Sequence, residues 1–376
     1  MVNHQQQDDH QFFVGQIISV DRTNERGKKI LAGSFSSDLV AVPLASLNAG
    51  IAINAKQVTL QLQAYQKLSF FSFIFTLIKM IKRQDWILIY FPMLILLLKN
   101  SQNTAKIFVE VVLLAFIGLF FLILSLRIKN QVADHLSGID RLNPDCFGEP
   151  LMTGKVKVSE LNKAAYISLG LAAVYSMPLI IHAPLVLLFL LPSIALGLFV
   201  QFFSLSKFKS DKLGEFFLFC LFGPLYISGL DMIFIQQVTG ETLFIGFYLG
   251  ICSIFLLNLR VFSNFFFMAE VHSNNTLIEM GFDKAKGYLQ FLMIFIVATF
   301  SFYQFVFTSL EYGLGSAILG LALALWLSRH LRSCDSPLSS KTKKMKQDLS
   351  QLVYSLHLIW IFIYLTKIFV DVVKEF

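Results

Sequence analysis

Apolar residues along this chain come in long, nearly unbroken runs, not in the two-residue alternation or one-sided helical stripes of a water-soluble fold. Such runs predict helices that are hydrophobic all round, the pattern of membrane spans. Nine are drawn, at residues 86–99, 105–127, 160–181, 184–205, 213–236, 242–260, 288–309, 313–328 and 351–372. Several fall short of the ~20 residues that a full crossing takes, the first above all. Ahead of them, residues 70–81 are apolar but few, and Lys79, Lys82 and Arg83 follow closely, which predicts a helix lying at the membrane surface. Residues 1–65 hold no run long enough to span. Short alternating stretches such as 57–62, with turn-forming residues at 24–29, predict a small cytosolic extension with some strand.

Composition agrees. The 376 residues are 56% hydrophobic, with 40 Phe, and only 15% are charged. Soluble domains average about 45–50% apolar and about 25% charged, so the excess apolar surface here must face lipid. The net charge of +7 would fit a nucleic-acid partner in a soluble chain. Here the basic residues sit in alternate loops, so topology is the simpler cause, and no nucleic-acid partner is expected. Lys79, Lys82 and Arg83 precede the first span, Arg127 to Lys163 follow the second, Lys207, Lys209 and Lys212 follow the fourth, Lys284 and Lys286 the sixth, and Arg329 to Lys346 the eighth. The other loops are nearly bare, Lys99 and Lys106 excepted. An even number of spans would break this alternation. The expectation is an all-α integral membrane protein, a bundle of about nine transmembrane helices around a central cavity, with the N-terminus and charged loops cytosolic. The domain division expected is an extension at 1–65 and a membrane domain at 66–376. The polar, acidic start is not a secretory signal, and four scattered cysteines form neither a zinc pattern nor a disulfide framework.

Two charged loops are too long and too rich in acids and amides to be plain connectors. After the second span come Asn130, Gln131, Asp134, Asp140 and Arg141, then Lys155 and Lys157. Asn130 and Asp134 share a face if the helix continues, and Gly138 is placed to end it. At the end of the sixth span come Asn258, Arg260 and Asn264, then Glu270 and His272. Ionisable groups at membrane depth tend to face a cavity or a partner. Asp and Asn oxygens hold Mg²⁺, which bridges to phosphates, while Lys and Arg neutralise the remaining charge. A lipid diphosphate suits that set. The alternative is that these are solvated loop residues. The chain has no nucleophile elbow, P-loop or GxGxxG.

These residues bring a family into view. From about Lys79 to the C-terminus the chain resembles the UbiA superfamily of intramembrane prenyltransferases, and within it the branch that prenylates 1,4-dihydroxy-2-naphthoate in menaquinone synthesis. The basic lead-in Ile81-Lys82-Arg83-Gln84-Asp85-Trp86 looks like the family's entry helix. Residues 130–157 are similar to its first motif, Asn-Asp-x-x-Asp then Gly-x-Asp. Leu213-Gly214-Glu215 through Gly223-Pro224 looks like that branch's Gly-Leu-Gly-Glu motif, and Asn258-Leu259-Arg260 with Asn275-Thr276-Leu277 frames the second motif. The departures are specific. Gln131 stands where the family has Asp, Val261 stands where an acid should follow Arg260, the motif's basic residue is replaced near Leu151, and the stretch from Arg260 to Thr276 is about one helical turn too long.

The resemblance implies transfer of a polyprenyl group from a polyprenyl diphosphate to an aromatic or other small acceptor within the membrane, with Mg²⁺ as cofactor. It implies that Asn130, Asp134, Asp140, Asn264 and Glu270 hold metal, that Asp134, Asp140 and Arg260 are catalytic, and that Lys155, Lys207, Lys209 and Asn258 bind substrate. An inner (cytoplasmic) membrane follows by the same comparison. A lost charge at 4 Å is worth about 4 kcal/mol at an effective dielectric near 20, so the missing carboxylates keep a second reading open: a relative that binds an isoprenoid lipid or a partner protein and does no chemistry. A transporter or scaffold without an isoprenoid ligand is a third, and it is the least favoured, because the repeats and broken pair of spans common in transporters are not evident. A protein partner for residues 1–65 stays open as well.

Overall fold

Backbone groups in lipid have no water to bond, so each apolar run has to close its own hydrogen bonds as a helix. The computed structural model describes residues 14–21, 24, 30, 39–43, 57–65, 67–81, 83–102, 109–137, 140, 146, 149–202, 212–270, 275–337 and 339–375. After three strands, β1 (Ile17–Asp21), β2 (Leu39–Pro43) and β3 (Gln57–Ala64), it is helical. The helices are α1 (Phe70–Lys79), α2 (Arg83–Gln102), α3 (Val109–Ser137), α4 (Val158–His182), α5 (Leu187–Phe202), α6 (Lys212–Cys220), α7 (Tyr226–Ile235), α8 (Gly240–Ser263), α9 (Phe265–Glu270), α10 (Thr276–Met280), α11 (Phe282–Phe307), α12 (Leu310–Arg332) and α13 (Ser340–Glu375). Among the described residues seven helices are long and apolar enough to cross a membrane, one of them formed by α6 and α7 together. The runs drawn at 86–99 and 184–205 fall on shorter apolar helices, Ile89–Ser101 and Pro184–Ala195. The chain is a multi-pass helical membrane protein with one small sheet.

Two compact units divide it. One comprises residues 1–80 and 126–166 and the other residues 81–125 and 167–376. In the first, the strands form an antiparallel sheet in the order β1-β3-β2, with Ile17 opposite Gln61 and Leu39 opposite Ala64. Alternation along β3 sets its faces: Leu60 and Leu62 are fully buried while Thr59, Gln61 and Gln63 are half-exposed. Val20, Ile30 and Leu60 make the small core. The sheet is fastened to the segment between α3 and α4. Gly154 there has φ +66° and lies so close to β2 that a Cβ would come within 2.9 Å of Val40 and 3.0 Å of Val42. Tyr65 donates its hydroxyl to Glu160, which also accepts from the Lys157 amide at 3.1 Å, and the Lys157 ammonium lies 4.3 Å from the Tyr65 ring centre. Burial and the facing carboxylate push the Tyr65 phenol above its usual range. On α1, Phe70, Phe71, Ile74, Phe75 and Ile78 are exposed and only Leu77 is buried.

The second unit is inside-out relative to a soluble protein: Phe291, Phe302, Ile318, Phe362 and Phe369 face outward. Its interior is a column of rings from α8, α11 and α13. Trp360 meets Tyr303, Tyr248 and Phe300 at ring-centre distances of 4.5, 5.3 and 5.5 Å. The closest approach of backbones is at Gly223. Between α6 and α7 a π-type turn, Leu221–Leu225, carries Pro224 and a non-helical Gly223, and this kinks the span. A Cβ on Gly223 would meet the Gly246 carbonyl oxygen at 2.5 Å and Gly250 Cα at 2.8 Å. Small residues permit this crossing, and in lipid such packing drives helix association. The four residues 236–239 then return the chain antiparallel, with Gln236 in the left-handed region and Thr239 capping α8.

At this crossing a side chain would have to displace backbone. Gly223→Leu is therefore expected to lower the thermal unfolding midpoint in detergent and to broaden the size-exclusion peak, at a cost of about 1–3 kcal/mol or more. Gly170→Leu, where a Cβ meets nothing within 4 Å, leaves both unchanged.

Candidate functional site

In the first unit the polar residues of the first motif gather at the end of α3. Asn130 and Asp134 lie one turn apart on it, Asn130 half-buried and Asp134 buried. Asp140 is 1% exposed and is held by His135, whose Nδ1–H donates to it at 2.7 Å. Gln131 donates to Glu149 at 3.0 Å. Two oxygens remain buried without a hydrogen-bond partner among the described residues: Gln131 Oε1 and Asp140 Oδ1. His135 and Glu149 did not stand out in sequence, because an ion pair five residues apart and an amide–carboxylate contact eighteen residues apart carry no motif. Lys129 donates to Asn162 at 2.9 Å and stacks on Tyr166 at 4.0 Å, while Lys155 projects into solvent beyond Gly154. Gly138 and Arg141 lie outside the described residues, as do Lys207 and Lys209.

A magnesium ion takes oxygen ligands, keeps several waters and needs only one or two carboxylates beside phosphate. The possible ligands here are amide and carboxylate oxygens, and two of them are buried with no donor to accept from among the described residues. The donor chemistry fits that ion. Among the described residues no three His, Cys, Asp or Glu side chains converge as a ligand group, so amide oxygens would have to contribute.

The second unit carries the other motif. Asn258, at the end of α8, is fully buried, Arg260 is half-buried two residues on, and Val261 is 3% exposed. Asn264 is the C-cap of α8. Glu270 ends α9; its side chain lies outside the description, and so does His272. Asn275 caps α10 by accepting from the Leu277 amide at 2.9 Å. Glu215, from the third matching stretch, faces Asn258, and Tyr288 of α11 donates to it at 3.2 Å.

A second polar cluster in this unit was legible only as an anomaly, Lys99 in a loop otherwise bare of charge. Lys99 is 3% exposed and Asp231 is fully buried. The ammonium donates to Thr242 at 2.9 Å and to Thr239 and Asp231 at 3.4 Å, with Glu241 at 3.9 Å. Asp231 also accepts from Asn100 at 2.7 Å and from the Thr242 hydroxyl. Glu241 accepts from Tyr303 at 2.5 Å and from Tyr364 at 3.3 Å. Five helices thus meet on one ammonium and two carboxylates, and every charged group has partners. That is the arrangement of a clamp, because a buried charge pair is stable only when fully hydrogen-bonded.

Removing one member of the pair strands the other. Lys99→Met or Asp231→Leu is expected to cost about 3–5 kcal/mol, read as a fall in thermal unfolding midpoint, and the double variant to recover most of it. Additive losses in the double variant would show that the two charges are not coupled.

No family model matches the chain, and no curated protein matches it. Solved structures do. A UbiA homolog from Archaeoglobus fulgidus bound to GPP and Mg²⁺ superposes with a TM-score of 0.54 at 13% identity, over 74% of this chain and 95% of that one. A UbiA homolog from the same organism bound to DMAPP and Mg²⁺ gives 0.53 at 14% identity, with the same coverage. At this identity the likeness is one of fold: this chain has the helical membrane fold of the UbiA homologs.

Proposed function

We propose that the protein is an intramembrane prenyltransferase of the UbiA type, which moves a polyprenyl group from its diphosphate to an aromatic or other small acceptor. The reading rests on one observation above the rest. Two buried oxygens of the first motif, Gln131 Oε1 and Asp140 Oδ1, are without a hydrogen-bond partner among the described residues, in a fold whose solved neighbours hold GPP or DMAPP together with Mg²⁺. Mg²⁺ is the cofactor in this reading, and when bound it supplies the positive charge that a departing diphosphate needs. Asn130, Asp134 and Asp140 hold it, and His135 fixes the direction in which Asp140 presents its oxygens. In the other unit Asn258, Asn264 and Glu270 are the polar remainder of the second motif. Arg260, Lys155, Lys207 and Lys209 balance the diphosphate charge.

In the reaction the allylic carbon–oxygen bond breaks and its electron pair leaves with the diphosphate. The acceptor's electron-rich atom then bonds to the allylic carbon, and the acceptor loses a proton. Residues that bind the leaving oxygen as charge develops on it lower the barrier. The stretch from Leu213 to Pro224 supports a finer assignment, a dihydroxynaphthoate acceptor and a menaquinone-like pathway. The one-sided basic loops support nine spans in the inner membrane with the N-terminus in the cytosol.

A second reading is favoured by Val261, apolar and buried where the motif calls for an acid: a relative that holds an isoprenoid without transferring it.

Purified protein in nanodiscs, given radiolabelled geranyl or longer prenyl diphosphates, Mg²⁺ and candidate aromatic acceptors, is expected to release diphosphate and label the acceptor. Chelator should abolish both products, and Asp134→Ala should reduce them at least about a hundredfold, a loss of about 2.7 kcal/mol in transition-state stabilisation. Tight binding without release, indifferent to Asp134→Ala, would establish the non-catalytic reading instead.

A further inference from the structure

The N-terminal sheet does not stand apart from the first motif. Residues 1–80 fall into one compact unit with residues 126–166, which hold the end of α3, the turn beyond it and the start of α4. Two contacts seat the sheet there, and they lie on either side of Lys155 and Val156. On one side Gly154, with φ +66°, lies so close to β2 that a Cβ would come within 2.9 Å of Val40 and 3.0 Å of Val42. On the other, Glu160 reaches back from the first turn of α4 to accept from the Lys157 amide, as the third residue of a capping box does. Tyr65, just after β3, donates its hydroxyl to the same carboxylate. The turn itself is tightly wound. The Thr153 amide donates to the Glu149 carbonyl and the Lys155 amide to the Pro150 carbonyl, each at 3.0 Å, and Met152 and Val156 are buried. A shift of Gly154 therefore carries Glu149 with it. Glu149 accepts from Gln131 Nε2 at 3.0 Å, and this contact sets the direction in which Gln131 presents Oε1, the buried oxygen without a partner among the described residues.

We propose that this sheet is a positioning element of the first-motif cation site. Through Gly154 and Glu160 it holds the turn, and through the turn it holds Glu149 against Gln131. Tyr65, Gly154 and Glu149 are positioning residues that act on the ion through the Gln131 oxygen. Outer partners of this kind change metal affinity, because they fix a ligand's direction before the ion arrives. The inference rests on the prenyltransferase reading for its ion and its diphosphate. It goes beyond that reading by giving residues 17–65 a part in the site, although they precede the stretch that resembles the family.

The test is Mn²⁺ titration of the full chain in nanodiscs, followed by electron paramagnetic resonance, with inorganic diphosphate present. The binding followed is that which Asp134→Ala removes, and the thermal unfolding midpoint is measured beside it. Gly154→Ala sets a methyl group against Val40 and Val42 and is expected to weaken this binding at least about tenfold, as loss of an outer partner does. Tyr65→Phe keeps the ring beside the Lys157 ammonium and removes only the donor to Glu160. It should weaken binding severalfold, and it decides the question if Gly154→Ala does not fold. Because the route passes through Glu149, Tyr65→Phe added to Glu149→Ala should cost no further affinity. A sheet with a structural role alone would lower the unfolding midpoint and leave the folded chain's affinity native. That result, or losses that simply add in the double variant, would overturn the positioning role while leaving the prenyltransferase reading intact. Absence of any diphosphate-dependent Mn²⁺ binding in the native chain would overturn both.

Discussion

The contact of Gly223 with Gly246 and Gly250 sets the register on which the polar chemistry of the second unit depends. Helices in lipid gain little from burying apolar surface against each other, so their alignment is decided by close backbone approach and by the few polar groups they bring together. Here the two agree. Counting eight residues from the crossing in one direction pairs Glu215 with Asn258, and counting eight in the other pairs Asp231 with Thr242. A slip of one helical turn, about 5.4 Å, would separate both pairs at once. The kink at Pro224 belongs to the same arrangement. It breaks the regular helix where its backbone meets that of α8, so the two halves of the span can each follow α8.

What could be read from sequence divides along the same line. Membrane helices were legible because length and apolarity are local properties, and the all-helical bundle came from them directly. The runs at 86–99 and 184–205 were harder, since a short apolar run in sequence fits a full span, a surface helix and a packed interior helix alike. The strands of the extension showed in their alternation at 57–62, yet their docking on Gly154 did not, because nothing local records that a left-handed glycine touches Val40 and Val42. Motif spacing drew attention to Asn130, Asp134, Asp140 and Asn258. It could not show that Asp140 is paired with His135, nor that Gln131 reaches Glu149. Asp231 escaped notice altogether. A single acid inside an apolar run looks tolerable until its partner is seen, and Lys99 lies 132 residues away.

These clusters allow a distinction that composition cannot make. In the Lys99 cluster the ammonium has three acceptors within 3.4 Å and Asp231 uses both its oxygens, so only the neutral Asn100 Oδ1 is left over. Such a group has no capacity to receive a ligand without breaking what holds it. The cluster at Gln131 and Asp140 is the reverse: a neighbour orients each side chain through one atom, and the remaining oxygen is buried without a partner among the described residues. Orientation through one oxygen with the other kept free is how outer partners prepare a metal ligand. The same contrast bears on the lost motif acids. An acid at position 261 would replace a side chain now 3% exposed, where burial penalises an unpaired charge. Glu215, by contrast, stands on a half-exposed stretch and has Tyr288 and Asn258 as hydrogen-bond partners.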